Sequence, residues 1–245
     1  MILGAGAAAT VDSSVEFNSI DPRPVLIVTG LVQEARIAAG PGMIVICSSS
    51  DPQQLRALLA TLDPSSFRGV ISFGVAGGLD PSLKSGDVVV ATEVLSGDTR
   101  FLAGLALNEE MIASAALKRR RVVRGGLAGV EQVIAATSCK AALHSETGAA
   151  AVDMESHIAA AYAAEAGIPF AALRVISDPA SRSLPALAKS AIKPNGDIDL
   201  RKVLRGLVRN PTTLRALVST GIDFNRALRS LRGCLASEGL LATST

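Results

Sequence analysis

Tryptophan is absent from this chain of 245 residues, tyrosine occurs once, as Tyr162, and histidine twice, as His144 and His157. So few rings leave no platform on which single-stranded nucleic acid would stack, and two histidines are too few for an ordinary zinc site. The three cysteines, Cys47, Cys139 and Cys234, lie far apart with no CxxC spacing, which reads as a reducing cytoplasm, no disulfide and no structural metal. Charge is scarce as well: 19% of residues are charged and the net charge of +2 is too small to indicate a nucleic-acid partner. No apolar run approaches the ~20 residues of a membrane-spanning helix. The small, apolar stretch Met1 to Val11 has no Lys or Arg ahead of it, and Asp12, Glu16 and Asp21 follow soon after. It is not read as a signal peptide.

What is present is aliphatic. Hydrophobic residues make up 49% of the chain, enough for one large core in a single α/β domain. Val25 to Thr29 (VLIVT), Met43 to Cys47, Gly69 to Phe73 (GVISF) and Asp87 to Ala91 (DVVVA) read as buried strands. Further apolar runs at Gln132 to Ala135, Ala149 to Val152 and Phe170 to Ile176 are expected to be strands too. They alternate with helical stretches at Leu31 to Ala39, Asp51 to Leu62 with Asp51 as cap, Glu109 to Lys118, Lys140 to Thr147 and Met154 to Ala166. This alternation predicts a central, mainly parallel and in part mixed, twisted sheet flanked by helices. No repeat and no low-complexity linker divides it. Residues 1–20 are expected to be a loose lead-in, with regular structure starting near Pro24. Residues 21–198 form the domain, and 199–245 a basic helical extension packed on it. That extension holds 8 basic and 3 acidic residues, against 16 and 19 in residues 1–198. The run KRRR at Lys118 to Arg121 reads as a solvated helix end.

In an open parallel sheet, ligands bind beyond the carboxyl ends of the strands. Four polar segments fall there: Gly30 to Glu34 (GLVQE), Gly74 to Asp80 (GVAGGLD), Val152 to Ser156 (VDMES) and Arg174 to Ala180 (RVISDPA). GVAGG reads as a glycine-rich turn that removes side chains where backbone must approach a ligand, which makes Ala76 and Gly77 candidate contacts. Glu155 is placed in the first turn of a helix, where a carboxylate is favoured. There it either accepts hydrogen bonds from a ribose diol or serves the helix start alone, and Met154 either lines the site or packs in the core. Asp178 is presented at a strand end just before Pro179. A carboxylic acid in a low-dielectric pocket can donate a proton to a departing purine, while Asp-Pro is also a common turn starter. His157 reads as an ordinary, partly buried helix residue outside the site.

Taken together, GVAGGLDPSLKSGDVVVATEV, AVDMES and LRVISD resemble the signatures of the purine and uridine phosphorylase superfamily, most of all the methylthioadenosine/S-adenosylhomocysteine nucleosidases. The resemblance spans Val25 to Ala180. A narrower match, VDMESHIAAAYAAEAGIPFAALRVISDPASRSLPALAKSAI followed by GDIDLRKVLRGLVRNPTTLRALV, is similar to the hopanoid-associated phosphorylases. That resemblance implies release of adenine from a 5′-modified adenosine, adenosylhopane giving ribosylhopane. It implies that Asp178 is the general acid and Ser177 orients it, that Glu155 holds the ribose diol and Met154 packs on the ribose. Val133 and Ile134 would lie along the adenine edge, and Glu34 would activate water. It also implies a cytoplasmic homodimer with no cofactor, inorganic phosphate being a possible co-substrate.

The same resemblance shows a departure. Phosphorylases of the superfamily commonly carry phosphate-binding residues where this chain has Ser72, Val75 and Glu34. An acidic side chain beside a phosphate dianion costs roughly 1 to 4 kcal/mol per charge pair at about 4 Å, so these positions favour water as nucleophile, unless Arg36 or Arg100 supplies a replacement cation. Leu214, Leu217, Val218, Leu228, Leu231 and Leu235 recur at mostly helical spacing beside Arg215, Arg226, Arg229 and Arg232, a basic, partly amphipathic pattern. It fits a helix packed on the body, and for a triterpenoid substrate it also fits peripheral contact with the inner membrane surface. Two other classes compete: a nucleoside-binding protein without catalysis, which has no use for a proton donor, and a membrane-associated scaffold.

Overall fold

Val25, Leu26, Ile27 and Val28 are each no more than 1% exposed, as happens when both faces of a strand are covered. The computed structural model describes residues 9–11, 21–104, 109, 111–112, 120–184, 214–232 and 234. The described strands are β1 (Ala9–Val11), β2 (Val25–Thr29), β3 (Met43–Cys47), β4 (Gly69–Gly78), β5 (Val88–Ser96), β6 (Thr99–Leu102), β7 (Val122–Gly129), β8 (Ala151–Asp153) and β9 (Phe170–Asp178). The described helices are α1 (Val32–Ala38), α2 (Pro52–Leu59), α3 (Thr137–Thr147), α4 (Ser156–Ala166) and α5 (Leu214–Leu231).

All nine strands join one mixed sheet in the order β1-β6-β5-β7-β8-β4-β2-β3, with β9 pairing both β4 and β5. The strands β3, β2, β4 and β9 run parallel to their neighbours, as do β5, β7 and β8. The two groups meet antiparallel at β4–β8 and β5–β9, so β4, β9, β5, β7 and β8 close into a ring. Alternation along β2 divides the core. Leu26 and Val28 face Leu55 and Leu59 of α2 and Ile158, Ala159 and Ala163 of α4. Val25 and Ile27 face Ala38 of α1 and Ala227, Leu228 and Leu231 of α5. Helices therefore cover both faces, each burying an apolar stripe.

Several local expectations need correction. The GVAGG segment is the end of the ten-residue strand β4, because β9 pairs with it as far as Gly77. Gln132 to Ala135 is no strand but the connection from β7 to α3; Ile134 is apolar because it packs down on Leu79, Ala128, Ala149 and Val152. The strand itself lies earlier, at Val122–Gly129, with Arg120 and Arg121 just ahead of it; the helix end expected at Lys118 to Arg121 falls partly outside the described residues. Arg121 clips to Asp87, and Arg120 donates to Ser230 Oγ at 2.6 Å and to the Arg229 carbonyl at 2.9 Å, tying α5 down. Ordered structure also starts before Pro24, with Ala9–Val11 paired in parallel with β6. Glu109, Met111 and Ile112 are helical, whereas most of the helix expected at Glu109 to Lys118, and Leu235, lie outside the described residues. Asp51 does cap α2, accepting from the Gln53 and Gln54 amides.

Gly129, the last residue of β7, meets the start of α4 so closely that an added Cβ would lie 2.3 Å from Cβ of His157. Overpacking of this kind costs typically about 1 to 3 kcal/mol. Gly129→Ala is expected to lower the unfolding free energy by that amount, read as a lower denaturant midpoint with no change in m-value, and an unchanged midpoint would mean that β7 and α4 are not packed as described.

Candidate functional site

Because β2, β4 and β9 are mutually parallel, their carboxyl ends open on one edge of the sheet. The short β8 runs against β4, with Val152 opposite Gly77, so the chain leaving it brings Asp153, Glu155 and Ser156 back over that edge. The turn after β2 supplies Glu34 from α1. Arg174 lies in β9 opposite Gly74.

Arg174 is fully buried and is the centre of the arrangement. Its Nε donates to Asp153 Oδ2 at 3.1 Å and Ser156 Oγ at 3.3 Å. Its Nη2 donates to Ser72 Oγ at 2.7 Å, Ser156 Oγ at 3.2 Å and Glu155 Oε2 at 3.4 Å. Nη1 is buried and has no hydrogen-bond partner among the described residues. Opposite it, Glu34 is held by three amides: Oε2 accepts from Gly30 and Leu31 at 2.9 and 2.8 Å, and Oε1 from Val75 at 2.8 Å. A Cβ added at Gly74 would lie 2.6 Å from Arg174 Nη1 and 2.7 Å from Glu34 Oε1. Glycine is what allows the free N–H and the carboxylate to approach one another there.

One guanidinium thus faces three carboxyl groups in a dry environment. Burial pushes Glu34 above the usual carboxylate range, against the pull of Arg174 and the amides. Burial likewise pushes Glu155 up to about 7, opposed by Arg174 and reinforced by Asp153 and Glu34. A second cluster lies further along the edge. Ala76 pairs with Ile176 and Gly77 with Asp178, so Ser177 is the extra residue of a bulge that re-aims Asp178. Asp178 is buried; its Oδ1 accepts from Ser177 Oγ at 2.7 Å and its Oδ2 from Lys140 Nζ at 2.5 Å. Burial raises its pKa although Lys140 opposes this.

The structure thus brings Glu34 and Glu155 together around Arg174, and Asp178, Ser177, Ala76 and Gly77 together around Lys140. Ser177 Oγ also donates to the Ala76 carbonyl, and Gly77 lies against Asp178 Oδ2. Glu155 is the residue that caps α4 and not a member of its first turn, since the turn from β8 is closed by Asp153 Oδ1 accepting from the Glu155 and Ser156 amides. Met154 is half-buried, as are Val133 and Ile134 in the loop before α3. That loop is joined to the chain after Asp178 by a bond from the Leu184 amide to the Ala135 carbonyl at 2.9 Å. Neither replacement cation is buried: Arg36 is exposed on α1 and Arg100 pairs with Glu93. His157 is buried, not partly so, and pairs with Glu131. Sequence reasoning passed over Arg174, Asp153, Ser156 and Lys140. For Arg174 there was a signal, a charge inside the apolar run FAALRVIS, since arginine is rarely buried unless paired.

Glu155 gives a pH test. Its carboxyl is raised from 4.5 to about 7 on folding, so the folded state holds a proton that the unfolded chain releases. Its contribution to stability is therefore full below pH 4.5 and is lost as pH rises through about 7, on the order of 3 kcal/mol in all. In Glu155→Gln, denaturation midpoints should fall less between pH 5 and 8 than in the parent. Glu34 and Asp178, raised in the same sense, account for the slope that remains. An identical slope in both proteins would place Glu155 in water.

Comparison with known proteins bears on the fold and the family. The family model of the phosphorylase superfamily matches residues 8–208. No curated protein sequence matches the chain. Among solved structures, the chain is similar to futalosine hydrolase of Helicobacter pylori, at 18% identity, covering 90% of this chain and 97% of that one with a TM-score of 0.64. It is similar to a variant of the H. pylori methylthioadenosine/S-adenosylhomocysteine nucleosidase with 5′-methylthioadenosine in its active site, at 18% identity, 89% and 98% coverage and a TM-score of 0.64. It is also similar to the nucleosidase of that type from Neisseria meningitidis in complex with methylthio-immucillin-A, at 18% identity, 89% and 98% coverage and a TM-score of 0.65. These identities speak for the fold; the family match spans most of the sequence, and the chain belongs to the phosphorylase superfamily.

Proposed function

We propose that this site breaks the N-glycosidic bond of a 5′-modified adenosine and releases adenine, with water as nucleophile. One observation carries the reading. Gly74, beside Glu34 and Arg174, and Gly77, beside Asp178, are three residues apart on β4, roughly 10 Å along an extended strand. That spacing sets a buried acid near one end and, near the other, a carboxylate beside a buried N–H donor that has no partner among the described residues.

The chemistry follows from the two ends. Asp178, raised by burial, gives its proton to a ring nitrogen of the purine as the C–N bond breaks and the bonding pair moves to the base. Ser177 fixes the carboxyl. Glu155 accepts from the ribose diol, Met154 packs on the ribose, and Val133 and Ile134 lie along the adenine. Water is held by Nη1 of Arg174 and the remaining lone pair of Glu34 Oε1. Glu34, more basic than an ordinary carboxylate, takes the proton as the oxygen adds to the anomeric carbon. A phosphate dianion there would face Glu34, Glu155 and Asp153 with Arg174 alone to offset them, a Coulomb cost of roughly 1 to 4 kcal/mol per close pair. The continued resemblance to the hopanoid-associated group supports adenosylhopane as the 5′-modified substrate.

Asp178→Asn keeps the shape of the acid but has no proton to give, so adenine release from 5′-methylthioadenosine should fall by about 10² to 10⁴ while binding measured by calorimetry changes little. Near-normal turnover would remove Asp178 from its role. Glu34→Ala should likewise lower kcat far more than it raises Kd, and the reverse pattern would make Glu34 a binding residue only.

Peripheral membrane contact belongs to the same proposal. The outer face of α5 exposes Val218 and Ile222, followed along one side by Arg226 and Arg229 and, just beyond the helix, Arg232, all exposed. No helix among the described residues is long and apolar enough to cross a membrane. Basic residues near an anionic surface contribute about 1 kcal/mol each. Cosedimentation with phosphatidylserine vesicles at low salt should be weak, lost at high salt, and reduced when Arg226, Arg229 and Arg232 become Gln; no binding at low salt leaves α5 as a helix facing water.

A further inference from the structure

Lys140 is fully buried, yet it lies in a polar stretch of α3, TSCKAALHSET, where a lysine normally reaches water. Its Nζ is 2.5 Å from Asp178 Oδ2, and it also donates to the carbonyls of Asp178 at 3.3 Å, Pro179 at 3.1 Å and Arg182 at 3.1 Å. Three carbonyls and a carboxylate are all acceptors for its N–H groups. Charged groups near this pair are found among the described residues on the chain after β9 and on α5. Arg182, in the chain after β9, is ion-paired with Asp223 of α5, and Asp223 also has Arg226 at 3.8 Å. The β4 and β8 side presents Gly77 and Val152, which carry no charge.

We propose that Lys140 is a positioning residue for the general acid: a fixed, buried cation that holds Oδ2 of Asp178 and stabilises the carboxylate that remains once Asp178 has given up its proton. The inference rests on the glycosidic-bond reading above and names the part of it that sets acid strength. In the reaction, the carboxyl proton of Asp178 passes to the departing purine, the C–N bonding pair goes to the base, and the water proton goes to Glu34. Lys140 keeps all its protons. Its charge is in place before the reaction, so stabilising the new carboxylate needs no reorganisation, and in a dry site such a preset charge counts for more than it would in water. The three carbonyls keep the ammonium from following the carboxylate or leaving it. Those of Pro179 and Arg182 are positioned by the chain after β9, which Asp223 of α5 anchors through Arg182, so α5 supports the acid from behind.

The test is the alkaline limb of the pH profile, where Asp178 loses the proton that it must donate. Without the cation, Asp178 holds its proton more tightly: an opposite charge this close displaces a carboxyl by about 1 to 3 pH units. With 5′-methylthioadenosine as the probe and adenine release followed, Lys140→Met should move that limb upward by about that much. The weaker acid should also lower kcat, by at least about tenfold, with little change in KM. Lys140→Gln, which keeps an N–H donor for the carbonyls but no charge, should give the same shift, and it carries the test if the Met variant does not fold. Lys140→Arg should keep the limb near its parental position. A fall in rate with the limb unmoved, or a KM effect alone, would overturn the proposal and leave Lys140 a structural residue. Asp178→Asn separates the two levels. If that variant still turns over, the general-acid reading itself has failed; if it is inactive and the limb does not respond to Lys140, only this inference has.

Discussion

A guanidinium with no exposure to water has to be neutralised and hydrogen-bonded where it lies, and the way Arg174 meets that requirement shapes this whole edge of the sheet. Burying one charge without partners is far more costly than the net stability of a domain allows. Asp153, Glu155, Ser72 and Ser156 supply the partners, and each comes from an element whose position is fixed by the sheet: β8, the cap of α4, and β4. The cation in turn keeps three buried carboxyl groups within reach of one another, which they would not tolerate alone. Removing Arg174 while leaving them would strand charge in the core, the costlier way to break a buried pair.

The topology makes this possible at one place. Parallel strands put their carboxyl ends on one edge, and the short strand β8, antiparallel to β4, returns the chain over that edge with a hydrogen-bonded turn at Asp153. Two glycines of β4 admit functional groups where a side chain would stand, and the one-residue bulge at Ser177 turns Asp178. Basicity, acidity and a free donor are thus produced by burial and by fixed neighbours, with no residue type that is unusual in itself. The two clusters differ in sign. Around Arg174 burial raises Glu34 and Glu155, and neighbouring carboxylates add to the effect at Glu155; around Lys140 one cation meets one carboxylate, which moderates the effect of burial on Asp178.

The central strands and the helices on both faces were legible, because Val25 to Thr29 and Met43 to Cys47 are continuous apolar runs with turn residues at their ends. β7 was not: Val122 to Gly129 contains three glycines and only two buried residues, so hydrophobic periodicity has little to register, and the arginines before it resemble a helix end. GVAGG reads as a turn from its glycines, whereas those at Gly74 and Gly77 answer to close approach of side chains within a strand. The acidic site residues could be placed because strand ends and an Asp-Pro step mark them. Lys140 could not, since a lysine on a helix ordinarily lies in solvent and only tertiary packing drives it against Asp178. Arg174 was visible as an oddity in an apolar strand, but its partners are distant in sequence.

The central claim is that this edge of the sheet cleaves an adenine nucleoside with water and not with phosphate. It is tested most directly by product analysis: the purified chain is incubated with 5′-methylthioadenosine in the presence and absence of inorganic phosphate, and the sugar product is followed by phosphorus NMR. The account predicts adenine release at the same rate in both, with a free reducing sugar and no phosphate ester. A ribosyl 1-phosphate that forms only when phosphate is present would contradict it, and would assign Arg174 to an anion that its carboxylate neighbours were argued to exclude.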